Sequence, residues 1–279
     1  MNTLYISDLD GTLLNQEGLL SDSSSLLIQE LIDQGVHFTC ATARTAATVT
    51  KILKDLPLSA PVILMNGVAI LDWVHHHYIK VEYFGIEFSN VLIDKLQELH
   101  LTSFIYTIRD DQLYNYYERF DNDAMFEFYH ERITRYQKPY TKVDSLSDIP
   151  VKDMIYSLLL DKKETLLPFC DWLSSVRDTY HIDFAFYPEI YLKDTWCLEI
   201  FSANASKYNA VEFLRKEYHY DRIVGFGDNL NDLSLFQACD AAYAVSNAKP
   251  PVKEVATGVI GSNIEDSVPK FIRTLEGLS

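Results

Sequence analysis

A chain of 279 residues with 48% hydrophobic and 23% charged side chains has the make-up of a globular protein of about two domains. No apolar run approaches the ~20 residues of a membrane span, and a formal charge of −16 makes nucleic acid and anionic membrane surfaces poor partners. A small phosphorylated metabolite could still be held by local cations.

The first strand is expected at Leu4-Tyr5-Ile6, almost at Met1, which leaves no room for a leader segment and fits a cytoplasmic protein. Cys40, Cys170, Cys197 and Cys239 agree with that, being far apart and forming no Cys-x-x-Cys pair. The strand ends in Ser7-Asp8-Leu9-Asp10-Gly11-Thr12, with Gly11 suited to the positive φ of a tight turn. Asp8 and Asp10 therefore lie at a strand's carboxyl end, which faces the ligand crevice of a parallel sheet. Two carboxylates so close need a counter-charge, and a hard divalent cation, Mg²⁺ most naturally, supplies one and leaves room for phosphate oxygens.

Ser21 and Asp22 are good N-caps for a helix through Leu31 and Ile32 that Gly35 ends. Then come a strand over Val36 to Ala41 closing in Thr42-Ala43-Arg44, a helix from Ala46 to Lys54, and an apolar run from Pro61 to Met65. This alternation predicts a Rossmann-like parallel sheet with helices on both faces and right-handed crossovers. After an Asn66-Gly67 turn, Ala69 to Asp72 and Tyr78 to Phe84 read as a hairpin around His75-His76-His77. Neighbours in extended chain point to opposite faces, so the three histidines are expected as an exposed tip rather than a ligand set.

From 85 to 197 the texture changes. Helices are expected over Ser89 to His100, Asp121 to Arg135 and Lys163 to Arg177. Strands are expected at Ser103 to Arg109, Gln112 to Tyr117, Val151 to Leu160, Ile182 to Tyr187 and Tyr191 to Phe201. This reads as an α+β domain inserted into a core made of residues 1–84 and 198–279. Twelve of the eighteen tyrosines lie between Tyr83 and Tyr191, where packing on sheets explains them better than substrate stacking.

The α/β texture resumes at Ser206-Lys207, which opens a helix. A lysine in a first helical turn opposes the usual charge preference, so an anion is expected beside Lys207. Arg222 to Gly227 then repeats the opening pattern, an apolar strand ending in Gly227-Asp228-Asn229-Leu230-Asn231-Asp232. Asp228 should reach the same crevice, with Asn231 and Asp232 in the first turn of the next helix. Short strands at Ala241 to Val245 and Gly258 to Ile260, with helices over Pro251 to Ala256 and Ile264 to Leu275, complete the layer.

Four strand-end signals in this order, Asp8-Leu9-Asp10-Gly11-Thr12, Thr42, Lys207 and Gly227 to Asp232, resemble the haloacid dehalogenase superfamily. With an insert between the second and third signals, the chain is similar to the Cof-type (class IIB) sugar-phosphatase branch, whose Asn-Gly turn Met65-Asn66-Gly67-Val68-Ala69 resembles. The resemblance implies an enzyme that hydrolyses small phosphate monoesters through an aspartyl-phosphate. Asp8 would be the nucleophile and Asp10 the general acid and base. Mg²⁺ would be held by Asp8, Asp228 and the backbone carbonyl of Asp10. Thr42 with the backbone of Leu9 and Ala43, Lys207 and Asn231 would bind the phosphoryl group, and Asp232 would orient Lys207 or a metal-bound water rather than ligate the metal itself.

A phosphomutase and a non-catalytic phosphometabolite-binding regulator on the same fold are the alternatives. Phosphonate hydrolysis would want a cap lysine, for which Lys95, Lys138, Lys142, Lys152 and Lys193 are candidates. Two departures stand out. Ala43 replaces the glycine of the usual Thr-Gly-Arg, and Ser267 the glycine of Glu-Asp-Gly-Val, but neither change removes a reacting group.

Overall fold

The computed structural model describes residues 2–189, 192 and 194–278. The chain divides into two compact units, residues 1–80 with 205–279, and residues 81–204. In the first, β1 (Thr3–Ser7) leads through a wide turn into α1 (Asp22–Asp33), then β2 (His37–Cys40) and α2 (Ala46–Ile52). Ser21 caps α1 by accepting the Ser24 N–H, and Gly35 follows the helix at a φ of 89°. β3 (Val62–Leu64) does not extend the main sheet as a full strand. It meets the end of β2 through a single bridge, Ala41 to Ile63, and instead pairs antiparallel with β4 (Ala69–Asp72), which is followed in the same small sheet by β5 (His77–Val81). Pro61 explains the break: it has no N–H for a ladder, and its carbonyl accepts from the Thr39 hydroxyl at 2.6 Å.

The second unit is α3 (Ile86–Glu98), β6 (Phe104–Arg109), β7 (Gln112–Tyr117), α4 (Asp123–Tyr136), β8 (Thr141–Lys142), β9 (Met154–Asp161), α5 (Lys163–Tyr180), β10 (Ile182–Pro188) and β11 (Trp196–Ser202). Its sheet order is β10-β11-β9-β6-β7-β8, antiparallel except for the short parallel pair β7 and β8. The unit runs from Val81 to Asn204 rather than from 85 to 197, because β11 continues to Ser202 with β10 paired along its whole length. Within the expected strand from Tyr191 to Phe201, pairing starts at Trp196, and Tyr191 and Lys193 lie outside the described residues. Tyrosines of this unit pack on other rings from a strand, a helix and a loop: Tyr117 of β7, Tyr129 of α4 and Tyr140 before β8 form one aromatic cluster with Phe104 and Phe120.

Back in the first unit, α6 (Lys207–Tyr218), β12 (Arg222–Gly227), α7 (Leu233–Ala238), β13 (Ala241–Ala244), α8 (Pro250–Val255), β14 (Gly258–Val259) and α9 (Ser267–Leu275) follow. The sheet β14-β13-β12-β1-β2 is parallel throughout. One helical layer joins α1 to α9, and another joins α6, α7 and α8. From β1 the chain steps outward to β2, whereas β12, β13 and β14 step the other way. The carboxyl ends of β1 and β12 thus flank the switch point where α/β sheets open a crevice. Among the described residues no helix is long and apolar enough to cross a membrane.

Candidate active site

Parallel pairing sets the site by register. Ser7 lies opposite Phe226 on one side and Cys40 on the other, so the residues just beyond all three strands, Asp8, Thr42 and Asp228, emerge at one edge. Asp8 is buried, its N–H bonded to the Phe226 carbonyl at 2.9 Å. Lys207, 0% exposed at the start of α6, donates from Nζ to Asp8 Oδ1 and to Asp232 Oδ1, both at 2.7 Å. This is the anion that a lysine in a first helical turn requires, and it is two carboxylates. Burial works against the ammonium, but Asp232 and Asp8 outweigh it and hold Lys207 above its ordinary range.

Asp232 is fully used. Its other oxygen accepts the N–H groups of Asp228 and Asn229 at 2.9 and 3.0 Å, so one buried carboxylate orients the lysine and shapes the turn after β12. Asp228 is less well compensated: its Oδ1 accepts from the Thr12 hydroxyl at 2.9 Å, and burial together with the Asp232 charge raises its carboxyl to about 6. Burial and Asp232 likewise push Asp8 upward, against the pull of Lys207. One oxygen each of Asp8, Asp228 and Asp232 lies within 4.8 Å of the others. Gly11 keeps this space open. At a φ of 77°, a Cβ there would stand 2.6 Å from Asp228 Oδ2.

Asp10 is placed differently from Asp8. Its carboxylate is outside that cluster, 53% exposed, and accepts from Arg44 Nε at 2.7 Å and Nη2 at 2.6 Å, a two-pronged pair. The counter-charges expected for the Asp-x-Asp pair are therefore, in part, two side chains, Lys207 for Asp8 and Arg44 for Asp10. Thr42 is buried with its Oγ1 accepting the Arg44 N–H at 3.1 Å, which leaves the hydroxyl proton free to donate. Ala43 is accommodated because the Thr42-Ala43-Arg44 turn needs no positive φ. Leu9 buries its side chain beneath the loop, while Asn231 is exposed and donates to Asn66 Oδ1 at 3.1 Å.

Three contributors escaped the sequence reading of the site. Arg44 was visible only as the end of the Thr42 motif, and Thr12 only as part of the first. The third, Asn247, donates to the Gly11 carbonyl at 2.7 Å from a loop after β13 and carries no local signal at all. The Asn66 turn also matters. Met65, Asn66 and Gly67 take φ values of 49°, 54° and 103°, and Gly67 lies so close to Ser206 that a Cβ would meet its carbonyl oxygen at 2.2 Å. Strained backbone is thereby pinned between the Thr42 loop and the start of α6.

A parallel sheet with an inserted α+β unit and a cluster of acids at its switch point is the frame that comparison with known proteins specifies. The haloacid dehalogenase-like hydrolase family matches residues 5–272, so the chain belongs to that family. Among curated relatives, a 5-amino-6-(5-phospho-D-ribitylamino)uracil phosphatase of Bacillus subtilis is 25% identical over 97% of this chain and 94% of its own length. A pyridoxal phosphate phosphatase of Escherichia coli is 26% identical over 98% of both chains. Of solved structures, a haloacid dehalogenase-like hydrolase from Bacteroides thetaiotaomicron superposes with a TM-score of 0.81 at 20% identity, covering 99% of this chain and 100% of that one. The chain is an enzyme of this family, a phosphatase.

Proposed function

We propose that the enzyme hydrolyses small phosphate monoesters in the cytoplasm in two steps through an aspartyl-phosphate at Asp8, with Mg²⁺ bound. The observation that carries this reading is the unequal use of the Asp8 carboxylate. Lys207 holds Oδ1, and no described side chain donates a hydrogen bond to Oδ2. Attack by Oδ2 on phosphorus breaks the ester P–O bond, and the proton of Asp10 goes to the departing alkoxide. Asp10 then takes a proton from water, whose oxygen attacks phosphorus and releases phosphate and the Asp8 carboxylate. The Thr42 hydroxyl, the backbone N–H groups of Leu9 and Ala43, Lys207 and Asn231 are the donors for the phosphoryl oxygens. Arg44 grips both Asp10 oxygens, which fixes the direction in which the carboxyl group faces for its part as acid and base.

The donor set fits Mg²⁺. Three clustered carboxylates share one lysine charge, Asp228 is raised to about 6 for want of compensation, and hard oxygen donors are what this ion takes. Asp8, Asp228 and the Asp10 carbonyl would hold it, with Asp232 committed to Lys207. When bound it would neutralise repulsion between the nucleophile and the substrate dianion. Four free thiols, three of them buried, suit a reducing compartment. Relatives named for a ribityl phosphate and for pyridoxal phosphate support a small phosphorylated metabolite as the substrate class.

Phosphate release from a panel of polyol, sugar and pyridoxal phosphates, with Mg²⁺ and with chelator, tests the reading. Turnover that needs both Mg²⁺ and Asp8 is expected, with loss to background in Asp8→Asn. Full turnover by that variant would overturn the covalent route. Transfer of the phosphoryl group to a sugar hydroxyl, without phosphate release, would make the enzyme a mutase.

A further inference from the structure

We propose that Asp72, His75 and His77, at the turn between β4 and β5, form a binding site for a borderline first-row divalent ion of the Zn²⁺ type. The site shares no residue with the acidic cluster of Asp8, Asp228 and Asp232. Face alternation would keep three successive histidines apart in extended chain, but residues 73–76 form a turn, which brings the rings of His75 and His77 together. The turn then adds the third ligand. The His76 N–H bonds back to the Asp72 carbonyl at 3.0 Å, and His76 takes a φ of 55°, folding the tip so that Asp72 comes level with the two rings. His76 itself goes elsewhere, its ring 6.4 Å from that of Trp73.

One ligating atom from each of Asp72, His75 and His77 lies within 4.8 Å of the other two. Asp72 Oδ2 and His75 Nδ1 are 3.0 Å apart, close to the ~3.3 Å edge of a tetrahedron with metal–ligand bonds of about 2.0–2.1 Å. The carboxylate is also oriented in advance. Its Oδ1 accepts the N–H groups of Val74 and His75, both at 2.9 Å, which leaves Oδ2 as the ligand and supplies the outer support that metal sites use.

A hairpin turn needs only Asp72 with its two backbone bonds. The ring of His77, by contrast, makes no hydrogen bond among the described residues, and its ring contact is with His75, at 6.1 Å between centroids. Two imidazoles and one carboxylate favour Zn²⁺, Ni²⁺, Co²⁺ or Cu²⁺ over Mg²⁺. His75 is 71% exposed, so water completes the coordination.

Titration of the full chain with Zn²⁺, and with Co²⁺ as a visible-absorption probe, in a large excess of Mg²⁺ to occupy the acidic cluster, tests the site. One equivalent should bind, and the ring NMR signals of His75 and His77 should move while that of His76 does not. The double variant His75→Ala with His77→Ala should lose this equivalent, His76→Ala should keep it, and Asp72→Asn should weaken it by about tenfold or more. Unchanged far-UV circular dichroism and phosphatase turnover would show that the variants are folded. Absence of binding by the native chain, an equivalent retained by the double variant, or loss equal in His76→Ala would overturn the proposal.

Discussion

Among the described residues two lysines are buried, one in each unit, and their surroundings shift them in opposite directions. Lys207, in the first unit, lies between two carboxylates 2.7 Å away and is held above its ordinary range. Lys138, in the second, has its Nζ 4.3 Å from the Tyr106 ring centroid and 5.6 Å from that of Tyr140. No carboxylate pairs with it among the described residues, and burial, aided by the Arg132 charge, drives it well below its ordinary range. The same side chain is thus held as a cation in one unit and has its charged form disfavoured in the other. Burial alone does not decide charge; the partner does.

Removing the partnered lysine should have the largest effect. Lys207→Met leaves Asp8 and Asp232 buried without their counter-ion, and breaking such a buried pair typically costs about 3–5 kcal/mol. We expect a much lowered melting temperature in calorimetry and turnover near background. A Lys207→Met enzyme as stable as the native one would show that the carboxylates need no cation, and the comparison would fail.

Asp228 sharpens the same point from the acidic side. Its carboxyl is raised to about 6, so between the unfolded value of about 3.9 and that point the folded chain binds more protons than the unfolded. Stability from this group therefore falls as pH rises through that window in Mg²⁺-free protein. Asp228→Asn should remove that slope and stabilise the chain at neutral pH by about 1 kcal/mol, while raising the Mg²⁺ concentration needed for turnover. In the native enzyme the Mg²⁺ demand should rise as pH drops through about 6, where protons compete for Asp228. Chemical denaturation and Mg²⁺ titrations across pH check both parts.

Lys138 predicts the reverse pattern. With its folded value lowered, the unfolded chain binds the extra proton up to about pH 10.4, so stability from this group rises with pH until there. Lys138→Met keeps the apolar contacts with the rings and removes the cost of burying an amine. We expect a stability gain of about 1 kcal/mol at pH 7, shrinking as the solution is made alkaline. A loss of stability would mean that the amine makes a polar interaction essential to the second unit.

This contrast also marks where the sequence could be read. Asp8, Asp228 and Thr42 were legible because a strand, its end and the following turn are local features, and parallel pairing then brings them together. Lys207 announced itself as a cation in the wrong turn of a helix. Lys138 gave no such sign, since its burial depends on rings from Tyr106 and Tyr140 that meet only when the second sheet forms. The Asp10–Arg44 pair joins residues 34 apart on neighbouring strand ends, and neither motif names the other as partner. The convergence of His75 and His77 with Asp72 depended on one left-handed residue, His76, that the triple histidine did not reveal.

The smallest expected effect concerns a polar group with no partner among the described residues. Ser267 stands where many relatives are expected to carry glycine, yet the left-handed residue here is Asp266, at a φ of 54°, and Ser267 begins α9 in ordinary helical geometry. Asp266 is tied down by the Ser21 and Ser24 hydroxyls at 2.5 and 2.9 Å, which moves the bend of the Glu-Asp-Ser-Val segment off the position where glycine would help. The Ser267 hydroxyl is buried without a hydrogen-bond partner among the described residues. Ser267→Ala should therefore stabilise the chain by about 0.5–1 kcal/mol, whereas Ser267→Gly gives back that gain through backbone entropy. If alanine instead destabilises by as much as glycine, the hydroxyl has a partner in solution, and Ser267 joins Lys207 rather than Lys138 as a compensated buried group.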